Sequence, residues 1–109
     1  MAEVNWTESA LSDLKEIAEY IALDKINAAK KLVRKIFDKT DRLEDNPKSG
    51  RLVPEFDNTK YREVIVPPCR ILYYVEKEIV YITHVMRSES QLRRYMIHES
   101  KADYTVGTN

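Results

Sequence analysis

Arg51, Arg62, Arg70 and Arg87 lie in or beside strand-like runs in the second half of the chain. A guanidinium is a planar fork of donors that matches a phosphate or a carboxylate. Arginines on neighbouring antiparallel strands can converge on one such group. The chemistry implied is anion binding, directed at a phosphodiester or at a carboxylate-rich protein surface. Each arginine can equally pair with a nearby carboxylate, and Glu55 and Glu63 both stand close in sequence. Glu63 follows Arg62 directly. It reads either as a base beside a phosphate clamp or as a plain counter-ion.

Other reactive side chains are sparse. His84 and His98 are the only histidines. His84 sits inside an apolar run, which favours a structural role, and neither has a local Ser, Cys or Asp partner. Tyr61, Tyr73, Tyr74, Tyr81 and Tyr95 lie in or near the strands. Tyrosine there can stack on a base, but its apolar body also makes it an ordinary strand residue. The run Lys30-Lys31…Arg34-Lys35 is interleaved downstream with Asp38, Asp41, Glu44 and Asp45 and reads as a solvated helix face. No GxGxxG, GxxxxGK[ST], HExxH or GxSxG occurs. The lone Cys69 excludes an intramolecular disulfide, and no Cys/His spacing suggests zinc. No cofactor or metal is expected.

The elements that must position these residues follow from periodicity. Val4-Asn5-Trp6 reads as a short edge strand. Thr7 is a helix N-cap, with Glu8 complementing the dipole of the first turn. Ala10, Leu14, Ile17, Ala18 and Ile21 form one apolar stripe, predicting a helix over about 8–22. A second stripe (Ala29, Leu32, Val33, Ile36, Thr40, Leu43) predicts a helix over about 27–45, stopped by Asn46-Pro47. Residues 47–51 read as a turn and 51–59 as loop. Runs over 61–66, 69–75 and 79–86 are rich in Val, Ile and Tyr and read as strands. Their short connections require antiparallel neighbours. The fold class is therefore α+β, an antiparallel sheet packed against an N-terminal helical hairpin, with one sheet face partly open. A short helix is expected over 88–97, a single domain over 1–98, and a flexible tail over 99–109.

Composition narrows the function. Lys plus Arg is 18 and Asp plus Glu is 18, so the formal net charge is 0. A protein that grips nucleic acid by its backbone usually carries a clear positive excess. Residues 1–45 carry 8 basic and 10 acidic side chains, and 46–109 carry 10 and 8, a weak bias toward an anion site in the second half. No apolar run approaches the roughly 18 residues of a membrane span, and the N-terminus lacks a basic-then-apolar leader. A cytoplasmic protein is expected, its lone cysteine in a reducing compartment.

The order of features resembles the RelE/ParE superfamily of toxins from type II toxin–antitoxin pairs. The resemblance is carried by Trp6-Thr7-x-x-Ala10-x-x-Asp13-Leu14-x-x-Ile17-x-x-Tyr20-Ile21, by Leu43-x-x-x-Pro47-x-x-Gly50-Arg51, and by Arg62-Glu63, Arg70-Ile71-x-Tyr73 and Ile82-x-x-Val85. It implies a β-α-α-β-β-β order with a variable C-terminal helix. It also implies a separately encoded antitoxin that wraps the toxin and supplies the DNA-binding part of an autorepressing complex. Members of the RelE branch cut mRNA on the ribosome; members of the ParE branch poison DNA gyrase. The neutral charge looks more like the ParE branch. Arg87-Ser88-Glu89-Ser90 stands where many relatives carry a histidine followed by an arginine, and Cys69 where a tyrosine is frequent. The resemblance thus points to a gyrase-poisoning toxin with Arg51, Arg62, Arg70 and Arg87 facing its target. The alternatives are a ribosome-dependent mRNA endonuclease, with Arg62, Arg70 and Arg87 as clamp and Glu63 or Tyr95 in proton transfer, and a non-toxic co-repressor module.

Overall fold

The computed structural model describes residues 1–55 and 60–87. The expected terminal helix over 88–97, the tail over 99–109, Tyr95 and His98 lie outside the described residues. The elements are β1 (Glu3–Trp6), α1 (Glu8–Ala22), α2 (Ile26–Asp41) with a short 3-10 turn (Arg42–Glu44), β2 (Arg51–Leu52), β3 (Arg62–Val66), β4 (Cys69–Glu76) and β5 (Ile79–Arg87). The sheet order is β1-β5-β4-β3-β2.

The helical hairpin forms as the periodicity predicts. Thr7 begins α1 with a two-way hydroxyl: it accepts from the Ala10 N–H at 3.2 Å and donates to the Ile82 carbonyl at 2.8 Å. One side chain therefore caps the helix and ties it to β5. The α-helical part of α2 ends earlier than its stripe suggests, because the chain tightens into the 3-10 turn before Asn46-Pro47. Leu43 is still delivered to the core and is 1% exposed.

The meander β2–β5 is antiparallel, as expected. The sheet as a whole is mixed, because β1 pairs parallel with β5, from Glu3 opposite Ile79 to Trp6 opposite Ile82. The helical hairpin lies between those strands in sequence and supplies the long connection a parallel pair requires. Residues 51–52, expected as loop, add a two-residue strand to the far edge. Beyond Ile82, β5 runs past the end of β1. There Asp13 of α1 accepts the Val85 N–H at 3.1 Å in place of a strand partner.

Two cores result. On the helix side, Leu14, Leu32 and Ile36 meet Ile71, Tyr73, Val80, Ile82 and Val85. A register shift opposite Leu72 and Tyr73 makes this possible. Without it, Ile82 and Val85, three residues apart, would face opposite sides. On the other face Val53, Leu72 and Met86 form a small cluster under Tyr61. Cys69 is buried in the helix-side core, where desolvation pushes its thiol pKa up and keeps it protonated.

The β4–β5 hairpin turns on Lys77 and Glu78, with φ of 50° and 63°. Both central residues are left-handed, a geometry that suits Asn-Gly. The double replacement Lys77→Asn, Glu78→Gly should stabilise the fold by about 1 kcal/mol. It should raise the urea midpoint at constant m; a lowered midpoint would contradict the turn assignment.

Candidate functional site

The site predicted from the arginines is built on the edge of the sheet away from β1. Arg51 faces Glu63 across β2–β3, and Glu63 faces Leu72 across β3–β4. Side chains alternate between faces along a strand, so Arg51, Glu63 and Arg70 share the face opposite the helices, with Arg70 diagonal to Glu63. Glu63 is 1% exposed. Its Oε2 accepts from Arg51 Nε, and its Oε1 accepts from Arg70 Nε at 2.8 Å. Arg70 is itself 4% exposed and donates from both terminal nitrogens to Glu55, each at 3.0 Å. Two carboxylates and two guanidiniums thus form a chain of net zero charge.

The electrostatics follow from that chain. The hydrogen bond from Arg70 holds the Glu55 carboxyl below the usual carboxylate range, against the opposing effect of burial. Burial works against the charge on Arg70, but the bonds to Glu55 and Glu63 outweigh it and raise its pKa. Only Arg51 reaches well into solvent, with its side chain 64% exposed.

Arg62 performs a different task. It lies on the opposite side of β3 from Glu63, opposite Leu52 and Tyr73 in register. Its Nη1 donates to the carbonyls of Gly50 at 2.8 Å and Lys48 at 3.1 Å, which closes the 47–50 turn. Tyr73 completes this closure: its buried hydroxyl accepts the Gly50 N–H at 2.8 Å, and burial pushes the phenol pKa up. A Cβ at residue 50 would stand 2.6 Å from Tyr73 Oη and 2.7 Å from the Glu63 carbonyl oxygen, so only glycine fits.

Arg87 stands apart. It pairs with Cys69 at the other end of β4, on the helix side of the sheet. Its guanidinium lies over the Tyr20 ring, 5.3 Å from the centroid. It lines a groove of about 630 Å³ together with Lys31, Arg34 and Lys35 of α2. The fold therefore brings Arg51 and Arg70 together on Glu63, commits Arg62 to a turn and sends Arg87 to a separate surface.

Of the tyrosines, Tyr73 is core. Tyr61, Tyr74 and Tyr81 form a row on the open face, with Tyr61 edge-on to Tyr74 at 5.6 Å and Tyr74 stacked on Tyr81 at 5.1 Å. Lys60 Nζ sits 4.2 Å above the Tyr74 ring. His84 Nδ1 lies 3.4 Å from the Asp13 carboxylate, a contact between α1 and β5.

The arrangement can bind more readily than it can transfer protons. A general base needs an oxygen free to face substrate, whereas both Glu63 oxygens are held by guanidiniums. The sequence treated Lys31, Arg34 and Lys35 as solvated surface. Their spacing does place them on one helix face, but only the fold adds Arg87 beside them.

Residues 4–92 match the family described as the ParE toxin of the type II toxin–antitoxin system, parDE. The chain belongs to the ParE toxin family. It is a toxin of the RelE/ParE superfamily of type II toxin–antitoxin systems. It is 36% identical over 85 residues to Toxin RelE2 of Caulobacter vibrioides, covering 78% of this chain and 93% of that protein. Solved structures share the fold. They include the chromosomal ParDE system from P. aeruginosa (TM-score 0.68, 24% identity, covering 82% of this chain and 98% of that one) and the YoeB dimer from Staphylococcus aureus (0.57, 18%, 81% and 98%). The RelBE2 toxin–antitoxin complex from Mycobacterium tuberculosis is similar as well (0.54, 17%, 80% and 98%). In this ParE-family chain, no helix among the described residues is long and apolar enough to cross a membrane.

The two arginines on Glu63 should differ sharply in stability cost. Arg70→Met strands a buried carboxylate and should cost about 3–5 kcal/mol. Arg51→Met removes a largely exposed partner and should cost below about 1 kcal/mol. Urea unfolding of both variants measures this, and equal losses would contradict the assignment of Arg70 as the principal counter-ion.

Proposed function

We propose that this ParE-family toxin arrests growth by binding DNA gyrase rather than by cleaving RNA, and that a cognate antitoxin neutralises it. The observation that carries this reading is the occupancy of Glu63. Metal-free RNA cleavage needs a base near the 2′-hydroxyl, an acid at the leaving oxygen and free cations on the phosphate. Here the carboxylate beside the arginines is sealed between Arg51 and Arg70, and Arg70 and Arg62 are spent on internal partners. Net neutrality points the same way, because a nuclease working on ribosome-bound mRNA gains from a cationic surface. Binding a protein target needs only a shaped surface with anchors, and tyrosine and arginine are favoured anchors. Arg51 and the row Tyr61, Tyr74 and Tyr81 supply such a surface on the open face, with Arg87 a further contact on the other side.

The second reading is a ribosome-dependent mRNA endonuclease. It is favoured by the name of the relative from Caulobacter vibrioides, Toxin RelE2. Under it Arg62, Arg70 and Arg87 clamp the phosphate, and Glu63 or Tyr95 moves the proton. The expected result of a plasmid supercoiling assay with purified gyrase and ATP is loss of supercoiling or accumulation of cleaved plasmid, reversed by the antitoxin. Arg51→Met should weaken that effect roughly tenfold or more while leaving the melting temperature within a few degrees. Unimpaired supercoiling at large molar excess, together with mRNA cleavage on added ribosomes, would overturn the gyrase reading.

A further inference from the structure

The two helices of the hairpin differ in sign. Within its bounds α1 carries four carboxylates and one lysine, whereas α2 carries five cations and two carboxylates. The outer face of the hairpin is also apolar. Leu11, Ala18 and Ala22 recur at helical spacing on one side of α1, and Ile26 and Val33 do so on the side of α2 beside it. Leu11 and Ile26 are 45% and 59% exposed. A concavity of about 490 Å³ opens there between the helices. Ala18, Ala22, Ile26 and Val33 line it, with Glu19 on its α1 side and Lys30 and Arg34 on its α2 side. The face is an apolar strip with opposite charges on its two rims.

We infer that this face pairs two copies of the chain about a two-fold axis parallel to the helices. Such an axis lays α1 of each copy over α2 of the other and keeps every residue at its own height along the helices. Glu19, Lys30 and Arg34 share one height, since they line the same concavity. The rotation therefore brings Glu19 of each copy over Lys30 and Arg34 of the other, so the charge contact is made twice. Ile26 and Val33 meet the small side chains of Ala18 and Ala22, and large facing small lets the two layers interdigitate. The four helices form an antiparallel bundle, and the contact closes at two copies. A two-fold axis across the helices would instead set α1 on α1 and α2 on α2, like charge on like. The same argument favours a second copy over a uniformly acidic or basic partner, which would meet its own sign on one of the two helices. With 15 residues in α1, the face is about 22 Å long and about 20 Å wide across two helices. Its flat footprint is roughly 450 Å² per copy, at the small end for a specific interface. The association is accordingly weak and reversible, on the order of tens of micromolar. It involves neither gyrase nor antitoxin, so it stands apart from the proposed target.

Sedimentation velocity of the whole chain alone, from roughly 1 to 500 μM, brackets that affinity. The sedimentation coefficient should climb from monomer to dimer across the range, and the dimer should weaken as salt rises. Glu19→Lys should lose roughly tenfold or more in association, and so should the double variant Lys30→Glu, Arg34→Glu, because each sets like charges face to face. Mixed in equal amounts, these two variants should recover the dimer, because opposite charges then meet at both contacts. All three positions are exposed, so both variants should fold as the parent does, which a thermal melt checks. A parent that stays monomeric across the range overturns the inference. So does either variant associating alone as the parent does. A mixture that stays monomeric while the parent dimerises also overturns it, because the contact then lies on another face or about another axis.

Discussion

A buried carboxylate must receive from the fold the counter-charge that water no longer supplies, and Glu63 is such a carboxylate. Stripping it of solvent costs several kcal/mol unless its oxygens are filled with good geometry. Arg51 from β2 and Arg70 from β4 fill them, and Arg70 goes on to grip Glu55. The chain of charges therefore spans three strands and reaches the segment that covers the open face. β2 has only two residues and, among the described residues, pairs with β3 alone. Its place at the sheet edge depends chiefly on the turn that Gly50, Tyr73 and Arg62 close behind it, with Arg51 adding a bond to Glu63.

This dependence explains the division of labour in the molecule. The residues that carry the resemblance to the toxin superfamily are largely residues that hold the sheet and helices in register. Thr7 and Asp13 tie α1 to β5 at and just beyond the end of its pairing with β1. Gly50, Arg62 and Tyr73 close the turn, while Glu63 and Arg70 neutralise each other. Contacts with other molecules are left to side chains around this frame: Arg51, the tyrosine row, and the cationic groove on α2. A scaffold whose motif residues are internally satisfied can present different surfaces without changing its fold, which suits a family whose members share architecture while their targets differ.

Much of the architecture was legible in the sequence because it rests on local signals. The stripe from Ala10 to Ile21, capped by Thr7, set the bounds of α1, and the Val/Ile/Tyr runs set three strands. What escaped was non-local. Nothing in Glu3–Trp6 indicates that its partner is β5 or that the pairing is parallel. Residues 51–52 are too short to show a strand period. At the site, the sequence offered two fates for the arginines, and the choice depended on whether Glu63 would be buried, which is decided by the packing of the whole sheet edge and not by its neighbours in the chain. The cationic groove was invisible for a related reason: Arg87 is more than forty residues from α2 in the chain, and only sheet and hairpin packing set them together.

The central claim is that Glu63 and Arg70 act as one structural unit. A double-mutant cycle tests it directly, with urea unfolding of the parent, Glu63→Gln, Arg70→Met and the double variant. If the pair is a unit, each single change leaves its partner's charge buried without compensation, and the double variant recovers part of the loss. The coupling should then exceed about 2 kcal/mol. Losses that add within about 0.5 kcal/mol would mean the two charges do not depend on each other, and the account of the sheet edge built on Glu63 would be wrong.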